Sequence, residues 1–220
     1  MTKKIIGICG STKKSNSSSE FLLKCALDEV EKMGVETKLI RLSDYKIKSC
    51  TGCGLCMINK HCPILKDPED QLSLLYKECK EADGFIFSSP VYALSLPAIW
   101  KNWFDRCEPC TDEDLSYERY SYDVVKDVKG KAFKGKVVGL ISIAAAIGHE
   151  IAWNSFSPVF TCINLTVVAN VGLSLFEYDS QPAVRLKPWA KSIKDAEFAI
   201  NMASSLGKRV YETTKFFSKA

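Results

Sequence analysis

No uninterrupted apolar segment of this 220-residue sequence reaches the ~20 residues needed to span a bilayer, which argues against a membrane partner. No block of Lys or Arg is long enough to form a nucleic-acid arm, and the formal charge of +4 is only mildly basic. The opening segment MTKKIIGICGSTKK has a basic start but a short apolar stretch before Gly10. It lacks the longer core and small-residue cleavage site of a secretory leader, so the chain is expected in the cytoplasm. Internal repeats and low-complexity tracts are also missing. Two phosphate-binding signatures are absent: there is no Gly-x4-Gly-Lys-Ser/Thr loop, and Gly7 and Gly10 alone do not make a Gly-x-Gly-x-x-Gly fingerprint.

What is present is a globular composition with an excess of cysteine. Hydrophobic residues make up 46% and charged residues 25%, enough for a core without covalent staples. The ten cysteines are therefore not read as a secreted disulfide scaffold; in a cytoplasmic chain they point to metal or redox chemistry.

Apolar runs of strand length alternate with amphipathic stretches along the chain. Strands are expected at Lys4–Cys9, Val35–Leu42, Gly84–Phe87, Lys136–Ile143 and Leu165–Val171. Between and after them, helices are expected from Phe21 to Met33, Pro68 to Glu81, Pro97 to Cys107, Glu150 to Cys162 and Trp189 to Phe217. Five such βα units predict one α/β domain over 1–220, a doubly wound five-stranded parallel sheet of order 2-1-3-4-5. A cysteine-rich loop, 43–67, follows strand two, and a polar insertion, 108–134, precedes strand four. The ligand crevice of this topology lies at the carboxyl ends of strands one and three, where the winding reverses.

Two loops reach that crevice. Gly10 to Ser18 joins the first strand to the first helix, and a phosphate there would meet free N–H groups and the positive end of the helix dipole. Ser11, Thr12, Ser17 and Ser18 add hydroxyl donors, Lys13 offsets charge and Asn16 suits a tight turn. A hydroxyl-rich loop with one leading glycine is the flavodoxin-type solution for a monophosphate; the bland alternative is a polar loop with a serine cap. Pro90, Val91, Tyr92, Ala93 and Leu94 follow strand three, where their backbone suits one side of a flat ring and Tyr92 its face or edge. Gly148 and His149, after strand four, lie on the same edge.

Cys50, Cys53, Cys56 and Cys62 follow C-x2-C-x2-C-x5-C, with Pro63 next. Ferredoxin runs are similarly tight, whereas zinc sites more often use two separated pairs. The longer final spacing lets all four thiolates close on one cubane; zinc, or four free thiols, are the rival readings. Cys9, Cys25, Cys79 and Cys162 read as small core residues, and Cys107-x2-Cys110 as a weak, isolated pair.

On Gly10-Ser11-Thr12-Lys13…Asn16-Ser17-Ser18, the four-cysteine loop, Ser89-Pro90-Val91-Tyr92 and Trp103-Phe104-Asp105-Arg106, the chain resembles the iron–sulfur flavoprotein branch of the NAD(P)H-dependent FMN reductase superfamily. The resemblance implies a flavodoxin-like fold, FMN held by the two crevice loops, and a 4Fe–4S cluster on the four cysteines. It further implies a ferredoxin or NAD(P)H electron donor, a small-molecule acceptor such as a quinone, and a homodimer or homotetramer. Thr12-Lys13 stands where the family commonly has Pro-Arg, and a Gly-Gly-Gln-Glu-like segment is present only as Ile147-Gly148-His149-Glu150. No catalytic acid or base is assigned, because hydride and electron transfer are flavin chemistry. The alternatives are a cluster-free NAD(P)H-dependent FMN or quinone reductase and a non-catalytic binding protein on the same scaffold.

Overall fold

The run Lys4–Cys9 forms β1, with every residue after Lys4 buried, as a strand covered on both faces requires. Its side chains alternate between two cores: Ile6 and Ile8 enter one, Ile5 and Cys9 the other. In this computed structural model the described residues are 3–55, 62–106, 133, 135–163, 165–175 and 193–217. β2 (Glu36–Arg41), β3 (Gly84–Pro90), β4 (Lys136–Ala144) and β5 (Leu165–Ser174) complete a parallel sheet of order β2-β1-β3-β4-β5. The doubly wound, flavodoxin-like sheet expected from the alternation is thus observed, with Ile8 in register with Ile40 on one side and Phe87 on the other.

α1 (Ser18–Lys32) begins at Ser17, whose hydroxyl accepts from the Glu20 N–H at 3.2 Å, and it ends before Gly34. Its stripe Leu22, Leu23, Ala26, Leu27 and Val30 packs with α5 (Glu197–Phe217) over one face of the sheet. The other face carries α2 (Leu72–Lys80), α3 (Ala98–Phe104) and α4 (His149–Cys162). Aromatic rings fill this second core. Trp100 and Trp103 stack with centroids 5.7 Å apart, and Phe87 lies 5.2 Å from Trp100. No helix among the described residues is long and apolar enough to cross a membrane.

Several boundaries differ from those read in the sequence, each for a local reason. α2 starts at Leu72 rather than Pro68, because Asp67, Asp70 and Gln71 bond to Lys48 and Lys46 instead of opening a helix. β3 continues through Pro90; that residue has no N–H, but the Val91 N–H takes the bond to the Ile143 carbonyl at 2.8 Å. β5 runs on to Ser174 after a register shift opposite Val138 and Gly139. A 3-10 turn, Ile193–Asp195, precedes α5, which runs from Glu197; the expected start at Trp189 lies outside the described residues. Cys9 and Cys79 are buried as expected and Cys25 is half-buried, whereas the Cys162 side chain, Cys107 and Cys110 lie outside the description. The insertion 108–134 also lies outside it, except for Phe133, which is buried against Tyr76, Phe85 and Trp103.

α1 and α5 meet at Gly207, where a Cβ would sit 2.3 Å from the Ala26 carbonyl oxygen. The obstacle is backbone, so it cannot swing aside. Alanine in a helix gains about 1 kcal/mol over glycine, while overpacking costs about 1–3 kcal/mol. Gly207→Ala is therefore expected to lower stability, read as a reduced midpoint in urea or thermal unfolding. A raised midpoint would show that the helices separate freely.

Candidate active site at the carboxyl edge

The loop after β1 is held from below and from the side. Below it, the Gly10 N–H donates to the Ser88 carbonyl of β3 at 2.8 Å, and a Cβ on Gly10 would lie 1.8 Å from Nε1 of the buried Trp100. Only glycine lets the indole pack against the loop. From the side, Arg41 at the end of β2 donates to the carbonyls of Lys13 (2.6 Å) and Lys14 (3.4 Å) and pairs with Glu20 at 3.2 Å. In a trans peptide the C=O and the following N–H point in opposite directions. Arg41 therefore turns the N–H groups of Lys14 and Ser15 away from itself. Asn16 takes a left-handed φ of 51°, and the buried Ser11 hydroxyl accepts from the Lys13 N–H at 3.3 Å. Thr12 and Lys13 are exposed beside Asn16, while Ser17 and Ser18 begin α1.

The second loop is a tight turn stored in a strained form. Tyr92 and Ser95 exchange backbone hydrogen bonds at 2.9 and 3.0 Å across Ala93 and Leu94, which have φ of 48° and 61°. Two central residues with positive φ define a primed turn, which normally selects Asn and Gly. Non-glycine residues pay roughly 1–2 kcal/mol each for this region. The turn is backed by Gly148, where a Cβ would meet Val91 Cγ1 at 2.8 Å and Leu94 Cα at 3.1 Å. Loops after β3 and β4 thus touch, leaving Tyr92, Leu94 and Ile147 exposed on the same edge.

His149 opens α4 but is buried, not extended over the crevice. Its Nδ1 lies 2.7 Å from Ser142 Oγ and its Nε2 3.1 Å from Ser174 Oγ. Ser174 donates its own proton to the Ala146 carbonyl at 2.7 Å, so Nε2 is the donor to Ser174. In the neutral ring Nδ1 then accepts from Ser142. The imidazole stacks on Trp153 at 5.9 Å and fixes the ends of β4 and β5 against α4.

The cysteine loop leaves the same edge from β2. Gly52 and Gly54 have φ of 66° and 68°, and the Gly52 N–H donates to Cys50 Sγ at 3.4 Å. Cys50 and Cys53 are exposed and Cys62 is buried. Among the described residues no three metal-ligating side chains converge; Cys56 lies outside them. The base of the loop is closed by Arg106, just past the end of α3. Its side chain is wholly buried with Asp70, at 2.5 and 3.0 Å, and it also donates to the Lys48 carbonyl at 3.1 Å. Its Nη2 lies 4.0 Å from Cys62 Sγ. Burial opposes the Arg106 charge, but the Asp70 carboxylate more than offsets it and holds the guanidinium proton above its ordinary range.

Comparison with known proteins identifies the family and the fold. The profile of the family described as NADPH-dependent FMN reductase matches residues 3–178. An iron–sulfur flavoprotein of Methanocaldococcus jannaschii is 27% identical over 98% of this chain and 100% of its own length. An iron–sulfur flavoprotein of Archaeoglobus fulgidus is 31% identical over 67% of this chain and 69% of its own. Among solved structures, a flavone reductase superposes with a TM-score of 0.67 at 21% identity, covering 96% of this chain and 63% of that longer one. The sheet, the two crevice loops and these matches define an FMN-dependent oxidoreductase of flavodoxin-like fold. The chain belongs to the NADPH-dependent FMN reductase family, in its iron–sulfur flavoprotein branch.

The structure brings all the described candidates to one edge, and adds Arg41 and Trp100. A charged residue closing a strand and a tryptophan in an apolar helix carry no sequence signal for such a role. Arg41→Gln is expected to loosen the loop, read as faster amide exchange at Lys14 to Asn16 and FMN affinity weakened about tenfold, the loss of one charge-assisted bond. Unchanged exchange would remove Arg41 from the site. Ala93→Gly is expected to raise unfolding stability by about 1 kcal/mol through relief of the positive φ, and a destabilised variant would refute the strain.

Proposed function

We propose that the FMN phosphate lies in the Gly10–Ser18 loop, on the N–H groups and hydroxyls of Ser11, Thr12, Asn16, Ser17 and Ser18, with Lys13 offsetting charge. The ring edge then lies along Pro90 to Leu94, backed by Gly148 and the start of α4 at His149. A 4Fe–4S cluster is held by Cys50, Cys53, Cys56 and Cys62. In this reading the protein takes electrons from ferredoxin or NAD(P)H and passes them to a small acceptor. The observation that carries it is the convergence of three loops, after β1, β2 and β3, on one sheet edge. Left-handed glycines, a backbone N–H at Cys50 and a guanidinium at Cys62 supply the donors that thiolate ligands need.

Each part of this edge has a physical task. Arg41 and the α1 N-terminus present donors to an anion before it arrives, so little ordering cost remains at binding. Val91, Leu94 and Tyr92 offer an apolar wall with a rigid backbone, where a flat ring excludes water. His149, locked by two serines, holds α4 and Gly148 against that wall. Bound FMN supplies hydride and single-electron transfer, and a cluster beside it links two-electron and one-electron partners.

Protein prepared without oxygen is expected to show flavin absorbance together with stoichiometric iron and acid-labile sulfide. Cys53→Ser is expected to abolish the sulfide and its absorbance while FMN stays bound. Stoichiometric zinc without sulfide would overturn the cluster assignment and leave a cluster-free FMN reductase.

A further inference from the structure

Arg106 is the one guanidinium among the described residues whose side chain is fully buried, and its position is dictated from three directions. Asp70 grips it through both carboxylate oxygens, the Lys48 carbonyl accepts from Nη1, and Nη2 is aimed at Cys62 Sγ. Asp70 also accepts from the Lys48 N–H at 3.0 Å, and the Tyr76 hydroxyl caps the Arg106 carbonyl at 3.4 Å. Lys48 is two residues before Cys50, so one side chain ties together both ends of the cysteine loop. A buried ion pair of this kind is weak evidence for stability alone, since an apolar replacement of equal volume is commonly as stable.

We infer that Arg106 is a positioning residue for a redox ligand: it holds the Cys62 sulfur by N–H donation and a fixed positive charge, and so raises the reduction potential of the iron–sulfur cluster. The inference rests on the cluster assignment above. Reduction adds one electron to the cluster and leaves the thiolate bonds intact; the added negative charge is favoured by a nearby cation and by hydrogen bonds to sulfur. The guanidinium cannot swing away, because Asp70 spans its fork. Asp70 thereby gives orientation by accepting one N–H from each of Nη1 and Nη2, and the second N–H of Nη2 is left for the sulfur.

The test is a redox titration of anaerobically prepared protein, following the cluster and the flavin separately in one sample. Arg106→Lys keeps the charge but loses the fork. The double variant Arg106→Gln with Asp70→Asn removes the pair as a unit, so no uncompensated charge is left buried. Both are expected to retain sulfide and FMN and to show, at a fixed potential, a reduced-to-oxidised cluster ratio about tenfold lower, a shift of ~59 mV for one electron. The flavin potential is expected to stay put. Lys101→Gln, which removes an exposed partner of Asp105 on the same helix, serves as the charge control and is expected to shift neither potential. Cluster potentials within error of the unmodified protein in both variants would overturn the inference and leave the cluster assignment standing, as would loss of sulfide from both. Absence of sulfide from the unmodified protein would overturn both.

Discussion

The contact between the Trp100 indole and the Gly10 backbone sets the position of everything at the carboxyl edge. β1 ends where Trp100 supports it, and the geometry of the Gly10–Ser18 loop is built outward from that point. The indole is in turn fixed by Phe87 of β3 and by Trp103, which leans on Tyr76 and Phe133. Interiors packed at crystal density transmit displacement rather than absorb it. The seven-residue α3 therefore supports one loop through Trp100, and Arg106, six residues on and just past its end, closes another.

Two kinds of order meet on this edge. The sheet supplies rigidity through buried apolar strands, while the loops are fixed by charge and hydrogen bonds. Arg41 and Arg106 play parallel parts: each sits at the end of an element, and each donates to backbone carbonyl groups of a loop outside the sheet, Lys13 and Lys14 for Arg41 and Lys48 for Arg106. Such backbone would otherwise be restrained only by water. Strain at Ala93 and Leu94 is tolerated because Gly148 and the Val91–Ile143 bond leave the turn no room to relax.

Much of this architecture was legible in the sequence, since period and punctuation alone report strands covered on both faces. Ile5–Cys9 is apolar throughout, Gly34 ends α1, and the order of five βα units follows from connection rules. The crevice loops were legible because topology places them, not because their residues are distinctive. Where the sequence misled, a side chain had a long-range partner. Pro68 looked like a helix start, but Asp70 two residues on is committed to Arg106 and Lys48. The two partners of His149, Ser142 and Ser174, lie in separate strands, so no local pattern reports them. Arg41 and Trp100 escaped notice because their roles depend on register between strands.

The neck of the cysteine loop has a bearing on how such proteins diversify. Lys46 and Gln71 bond to each other twice, at 2.8 Å each, and Lys48 and Asp70 close the next rung. Chain entering and leaving the loop is thus sealed to its own base rather than to the crevice. A segment sealed in this way can lengthen, shorten or change its ligands at small entropic cost, because closure is already secured and added length enters only logarithmically. The flavodoxin-like body is then a chassis on which the cysteine loop can be remodelled independently, with Arg41 marking the boundary between the two.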